Sequence, residues 1–122
     1  MLSTTRLKLT TIDKTDSARK NIVKYLQDAR IRIDGVGLQG HLVVGSIPTL
    51  ADQIANLKAF EKLRVKTAYT EIDVRMDLPV SDAKLEQQAK DYATTVKACM
   101  EVDSCIGITI WDFYDPACTL LS

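Results

Sequence analysis

The heptapeptide Thr70-Glu71-Ile72-Asp73-Val74-Arg75-Met76 decides how this chain is read. It continues a β-like run, Val65-Lys66-Thr67-Ala68-Tyr69. Side chains two apart on a strand share a face. If Lys66 to Asp73 form one strand, Glu71 and Asp73 point to the same side. Two carboxylates on one inward face are costly unless paired, hydrogen-bonded or catalytic. The plainer alternative is a strand that frays into a polar loop at Glu71.

Working outward, the pattern alternates. Upstream, the Asp34-Gly35 turn precedes a short buried strand, Val36-Gly37-Leu38-Gln39, which gives way to Gln39-Gly40-His41. After a loop with Gly45 and Pro48, Thr49 opens a helix. Asp52 stands where a capping box wants Glu, and reaches back less well. Leu50, Ile54, Leu57 and Phe60 or Leu63 give that helix an apolar stripe. Farther back, residues 5–12 read as a weak strand, and Asp16 as the cap of a helix from about Ser17 to Arg30. Its apolar positions are Ile22, Val23, Leu26 and Ala29.

Downstream, a loop with Pro79 leads to Ser81, which caps a helix from Asp82 to about Met100. Leu85, Ala89, Tyr92, Val96 and Cys99 predict its buried stripe. The strand Cys105 to Trp111 follows and ends in Asp112. Strands alternating with helices predict an α/β fold of parallel strands joined by right-handed crossovers. Polar and aromatic residues gather just after three successive strands: Gln39 and His41, Glu71 and Asp73, Trp111 and Asp112. Parallel sheets carry their sites at those ends.

The 122 residues suit one domain, and 46% hydrophobic content is that of a globular chain. Lys plus Arg and Asp plus Glu number 16 each, so no basic excess points to nucleic acid or to a membrane surface. No apolar run approaches the roughly 18 residues of a membrane helix. The segment Met1-Leu2-Ser3-Thr4-Thr5-Arg6 shows no signal-peptide core. One histidine and no Cys-x-x-Cys exclude the common zinc patterns, and no cofactor is expected. Cys99 and Cys105, six apart, are either a small-loop disulfide or two buried thiols. Cys118 is the odd one and reads as free.

Several segments together resemble the C-terminal part of the family 10 glycoside hydrolases, the endo-β-1,4-xylanases. They are Ile33-Asp34-Gly35-Val36-Gly37-Leu38-Gln39-Gly40-His41-Leu42, then Thr70 to Met76, then Gln88-Ala89-Lys90-Asp91-Tyr92. The last runs from Ala98-Cys99 through Cys105-Ile106-Gly107-Ile108-Thr109-Ile110-Trp111-Asp112-Phe113. The resemblance is clear from about Asn21 to Asp115, and the whole chain, 1–122, is read as a partial catalytic domain.

That family folds as an eight-stranded (β/α) TIM barrel. The resemblance implies strands six, seven and eight here, with the first segment a degraded strand five, in a barrel this chain alone does not close. It implies that Glu71 is the catalytic nucleophile, with His41 and Asp73 as hydrogen-bonding partners that hold it ionised and aimed. Gln39 would line the cleft, and Trp111 would stack on a xylose ring of xylan or a xylo-oligosaccharide. Cys99 and Cys105 would form the family's disulfide, as in secreted members. Taken singly, His41 and Trp111 have ordinary core or loop readings, and Arg75 reads as an ion-pair partner of Asp73 or Asp77.

The family's acid/base glutamate follows an asparagine on the fourth strand. Here the only asparagines, Asn21 and Asn56, precede Ile22 and Leu57. The chain is therefore expected to be a xylanase fragment, with at most trace hydrolysis alone. Three or four strands cannot close a barrel, so the open edges predict self-association. Non-catalytic sugar binding and a non-functional truncated product are the competing expectations.

Overall fold

The computed structural model describes residues 4–8 and 15–111. Residues 9–12, Asp112 and Cys118 lie outside them. The elements are β1 (Thr4–Lys8), α1 (Thr15–Asp28), β2 (Gly35–Val43), α2 (Leu50–Glu61), β3 (Lys66–Arg75), α3 (Asp82–Met100) and β4 (Cys105–Ile110). The four strands form one parallel sheet in sequence order. Right-handed crossovers between sequential neighbours place all three helices on one face. Among the described residues, β1 and β4 each keep one unpaired edge.

The core lies between sheet and helices. Leu38, Leu57 and Phe60 are fully buried there, with Val23, Val36, Tyr69, Ile72, Ala98 and Val102 around them. Two helices begin where their caps were expected. Thr49 Oγ1 accepts the Asp52 N–H at 3.2 Å, and Ser81 Oγ accepts that of Lys84 at 3.4 Å. Asp52 does not complete the box; its carboxylate accepts a hydrogen bond from the Thr49 hydroxyl at 2.6 Å. Asp16 sits inside the first turn of α1, which begins at Thr15, rather than at its cap.

Three further expectations need correction. β2 continues to Val43, so Gln39 and His41 are strand residues and not the loop after a strand. Likewise β3 continues through Glu71 and Asp73 to Arg75, with no fraying at Glu71. The buried stripe of α3 is also turned by one residue. Asp91, Thr95, Ala98 and Cys99 are buried, whereas Leu85 and Val96 are 47% and 37% exposed and Ala89 is exposed. Backbone groups at the ends of β2 and β3 need partners, and the polar side chains of α3 turn inward to supply them.

The Cys99–Cys105 disulfide is formed, with Cα atoms 5.3 Å apart, where α3 gives way to β4. No helix among the described residues is long and apolar enough to cross a membrane.

Candidate active site

The site depends on one extra residue in β3. Leu38 of β2 pairs with Tyr69, but the next residue, Gln39, pairs with Glu71. Thr70 is the surplus residue of a β-bulge. Its hydroxyl donates to the Leu38 carbonyl at 3.4 Å, across the interrupted ladder. The same offset appears against β4, where Tyr69 pairs with Ile108 and Ile72 with Ile110.

Residues paired across strands lie on one face of a sheet. Tyr69 and Ile72, three apart, therefore both join the core on the helix side. Glu71 and Asp73 turn to the other face, beside Gln39 and His41. Strict alternation from Thr67 and Tyr69 would have aimed both carboxylates into the helices. On the helix side, Gly40 faces Ile72 so closely that a Cβ there would collide with the Ile72 Cδ1 methyl. That approach, rather than backbone conformation, is why glycine stands at this position.

On the open face the four residues converge. His41 Nδ1 lies 2.8 Å from Asp73 Oδ2, and Nε2 lies 3.4 Å from Glu71 Oε2. The imidazole thus bridges two carboxylates that are only 4% and 8% exposed. Nδ1–H donating to Asp73 fixes the ring plane, and the ring then fixes where Glu71 stands. Gln39 is beside Glu71 in the register and half-buried. Trp111 follows β4 directly, and its N–H donates to the Ile72 carbonyl at 2.8 Å. Its indole meets the His41 ring edge-on, with centroids 6.0 Å apart at 84°. It remains 40% exposed, so it is not a core tryptophan. Arg75 reaches Asp77 at 4.0 Å, a weak surface pair.

All five residues expected at the site are thus together: Gln39, His41, Glu71, Asp73 and Trp111. Among the described residues, no set of His, Cys, Asp and Glu is arranged to hold a metal ion. The sequence pattern gives no role to Gln87, Gln88 and Asp91, and reads Tyr92 only as part of the buried stripe of α3. Their signal was available: long polar side chains at helical spacing, in a segment already notable for its resemblance.

The parallel sheet thus collects a buried glutamate, a histidine–aspartate pair and an exposed tryptophan on one face. Comparison with known proteins shows the family in which this arrangement stands. The model of glycosyl hydrolase family 10 matches residues 8–119. Endo-1,4-beta-xylanase A of Humicola insolens is 50% identical over 103 residues, covering 84% of this chain and 27% of that protein. Endo-1,4-beta-xylanase D of Talaromyces funiculosus is 52% identical over 96 residues, 79% of this chain and 24% of that protein. The crystal structure of the family 10 xylanase from Bispora sp. MEY-1 with xylobiose superposes with a TM-score of 0.89. It is 40% identical, over 95% of this chain and 35% of that one.

The chain belongs to glycosyl hydrolase family 10. Its sheet is part of a TIM barrel that these residues do not close. It spans about a quarter of the length of the two xylanases named above, 27% and 24%.

Proposed function

We propose that Glu71 is the nucleophile of a retaining endo-1,4-β-xylanase, and that these residues build the nucleophile side of its cleft. The observation that carries this is the His41 bridge, which ties a buried Glu71 to Asp73 beside an exposed indole. In the reaction, a Glu71 oxygen attacks the anomeric carbon of a xylose unit. The glycosidic C–O bond breaks and a glycosyl ester forms on Glu71; water later hydrolyses it. His41, held by Asp73, keeps the carboxylate at the attacking position. Trp111 offers its free face to the apolar side of a sugar ring. Gln39, beside Glu71 in the strand register, would hydrogen-bond a sugar hydroxyl.

Departure of the sugar leaving group needs a second carboxyl about 5–5.5 Å away. No Asn-Glu pair occurs in this sequence to match the family's acid/base. Losing general acid catalysis typically costs about 10²–10⁴-fold. The 122-residue chain is therefore expected to cut xylan at a trace rate at most. The Cys99–Cys105 disulfide favours an oxidising compartment, in keeping with secretion.

An activated substrate separates nucleophile from acid. A 2,4-dinitrophenyl 2-deoxy-2-fluoro-xylobioside loses dinitrophenolate without protonation, and its fluorine slows hydrolysis of the ester. Incubation should add one fluoroxylobiosyl group to the chain, mapped by peptide mass spectrometry to Glu71. No adduct, or one on another residue, overturns the assignment.

The exposure of Trp111 beside His41 favours a second reading, in which the cleft holds xylo-oligosaccharide without cutting it. Titration calorimetry with xylohexaose distinguishes them. Heat without products or labelling supports binding alone.

A further inference from the structure

The inward polar stripe of α3 takes no part in the chemistry above, yet its side chains end on the backbone of both strands that carry the site. Among the described residues, β3 has no neighbour on the β4 side beyond Ile72. The bond from Trp111 N–H to the Ile72 carbonyl is the last rung among the described residues. In a parallel ladder, alternate residues turn their backbone groups to the same neighbour. Ile72 turns to β4, and Arg75, whose carbonyl accepts from Val44 N–H at 2.9 Å, turns to the β2 side. Val74 therefore presents its N–H and C=O on the β4 side, past the last rung that the described residues supply. Val74 is 2% exposed, and buried backbone groups require partners.

Two side chains of α3 supply them. Gln88 Nε2–H donates to the Val74 carbonyl at 2.8 Å. The Tyr92 hydroxyl accepts the Val74 N–H at 3.2 Å. Spaced four apart, they stand one above the other on the helix. They offer one donor and one acceptor, as a neighbouring strand would. Beside them, Asp91 accepts the Gly45 N–H at 2.7 Å and is held by Gln87 Nε2–H at 2.8 Å. That fixes the chain where it leaves β2. One helix face thus grips the ends of both strands that the His41–Asp73 contact joins.

We propose that Gln88 and Tyr92 are positioning residues. Acting as a substitute strand, they hold the segment Ile72 to Val74 so that Asp73 meets His41 Nδ1 and His41 meets Glu71. Their bearing on catalysis rests on Glu71 being the nucleophile. The test reads hydrogen bonds in the substrate-free chain, so failed labelling of Glu71 and failure of the brace are separate results.

Amide exchange and imidazole nitrogen spectra are recorded by NMR on the isotope-labelled chain, on Tyr92→Phe and on Gln88→Met. Lys90→Met, at an exposed position of the same helix, is the control. In Tyr92→Phe, whose ring cannot accept the Val74 N–H, that amide exchanges roughly tenfold faster. In both variants the His41 nitrogen resonances shift, while exchange at Leu38 and Leu57 stays at the wild-type rate. The control changes none of these. A merely structural brace would speed exchange at Leu38, Leu57 and Val74 together and leave the His41 nitrogens of folded molecules unmoved. That result overturns the proposal. Wild-type exchange at Val74 in Tyr92→Phe also overturns it. So does unfolding of either variant, because the proposed action is local.

Discussion

On its helix side β3 presents Thr67, Tyr69 and Ile72, between 1% and 4% exposed. On its open side it presents Glu71 and Asp73, at 4% and 8%. The two faces are almost equally buried and are satisfied by different means. The helix side is a packed apolar layer in which Leu38, Leu57 and Phe60 fill the space. Such a layer is held by area and shape, and tolerates chemistry poorly but volume-conserving exchange well. The open side is held by one imidazole with two carboxylate contacts, so identity matters there more than volume. A single surplus residue, Thr70, separates the two regimes within one strand.

That contrast can be broken from either side. The largest effect is expected from Glu71→Gln, which should abolish covalent labelling outright, checked by intact mass, and leave the circular dichroism of the chain unchanged. Phe60→Ala attacks the other face. It should lower stability by about 3–5 kcal/mol in urea denaturation, without altering the labelling rate per folded molecule. If it slowed labelling of the folded fraction, the faces would not be independent. Next comes Gly40→Ala, whose methyl must displace the Ile72 side chain. Overpacking of this kind typically costs about 1–3 kcal/mol. Because Ile72 lies between Glu71 and Asp73, labelling should slow as well, and unchanged labelling would show that the core does not register the site. Asp73→Asn keeps the shape and removes one charge beside His41. It should slow labelling roughly tenfold, about 1.4 kcal/mol, with little change in the denaturation midpoint.

The smallest effect lies far from both faces. Arg64 follows α2 with φ at 59°, the left-handed region that favours glycine. Arg64→Gly should stabilise the chain by up to about 1 kcal/mol, read as a raised urea midpoint, and leave the site alone.

Much of this is legible in the amino-acid sequence. The order of strands and helices follows from hydrophobic period and caps, with Thr49 and Ser81 at the starts of α2 and α3. The five candidate site residues follow from the resemblance. Spacing alone leaves Cys99 and Cys105 as either a disulfide or two thiols, and the resemblance favours the disulfide. What escapes has physical reasons. Periodicity counts apolar side chains, so it finds Tyr92 and Cys99, which pack on the core, but also takes in Leu85, Ala89 and Val96, which are exposed. The helix also turns Asp91, Gln88 and the Tyr92 hydroxyl toward backbone groups, which an apolar pattern does not register. The lengths of β2 and β3 escape because their final residues carry polar side chains, which read as loop when no partner is visible. The bulge at Thr70 escapes because a threonine in a strand looks regular. Only the pairing with the neighbouring strands shows that the alternation skips a beat there.

The two-faced arrangement of β3 is tested most directly by side-chain nuclear Overhauser contacts in the isotope-labelled chain. With the bulge at Thr70, the Ile72 δ1 methyl should show contacts to the Tyr69 ring and to Gly40 Hα, and the His41 ring to Trp111. Contacts from the Ile72 δ1 methyl to the His41 and Trp111 rings, with the Tyr69 ring in the helix-side core, would mean that the strand alternates without a break. The two carboxylates would then not share the open face with His41.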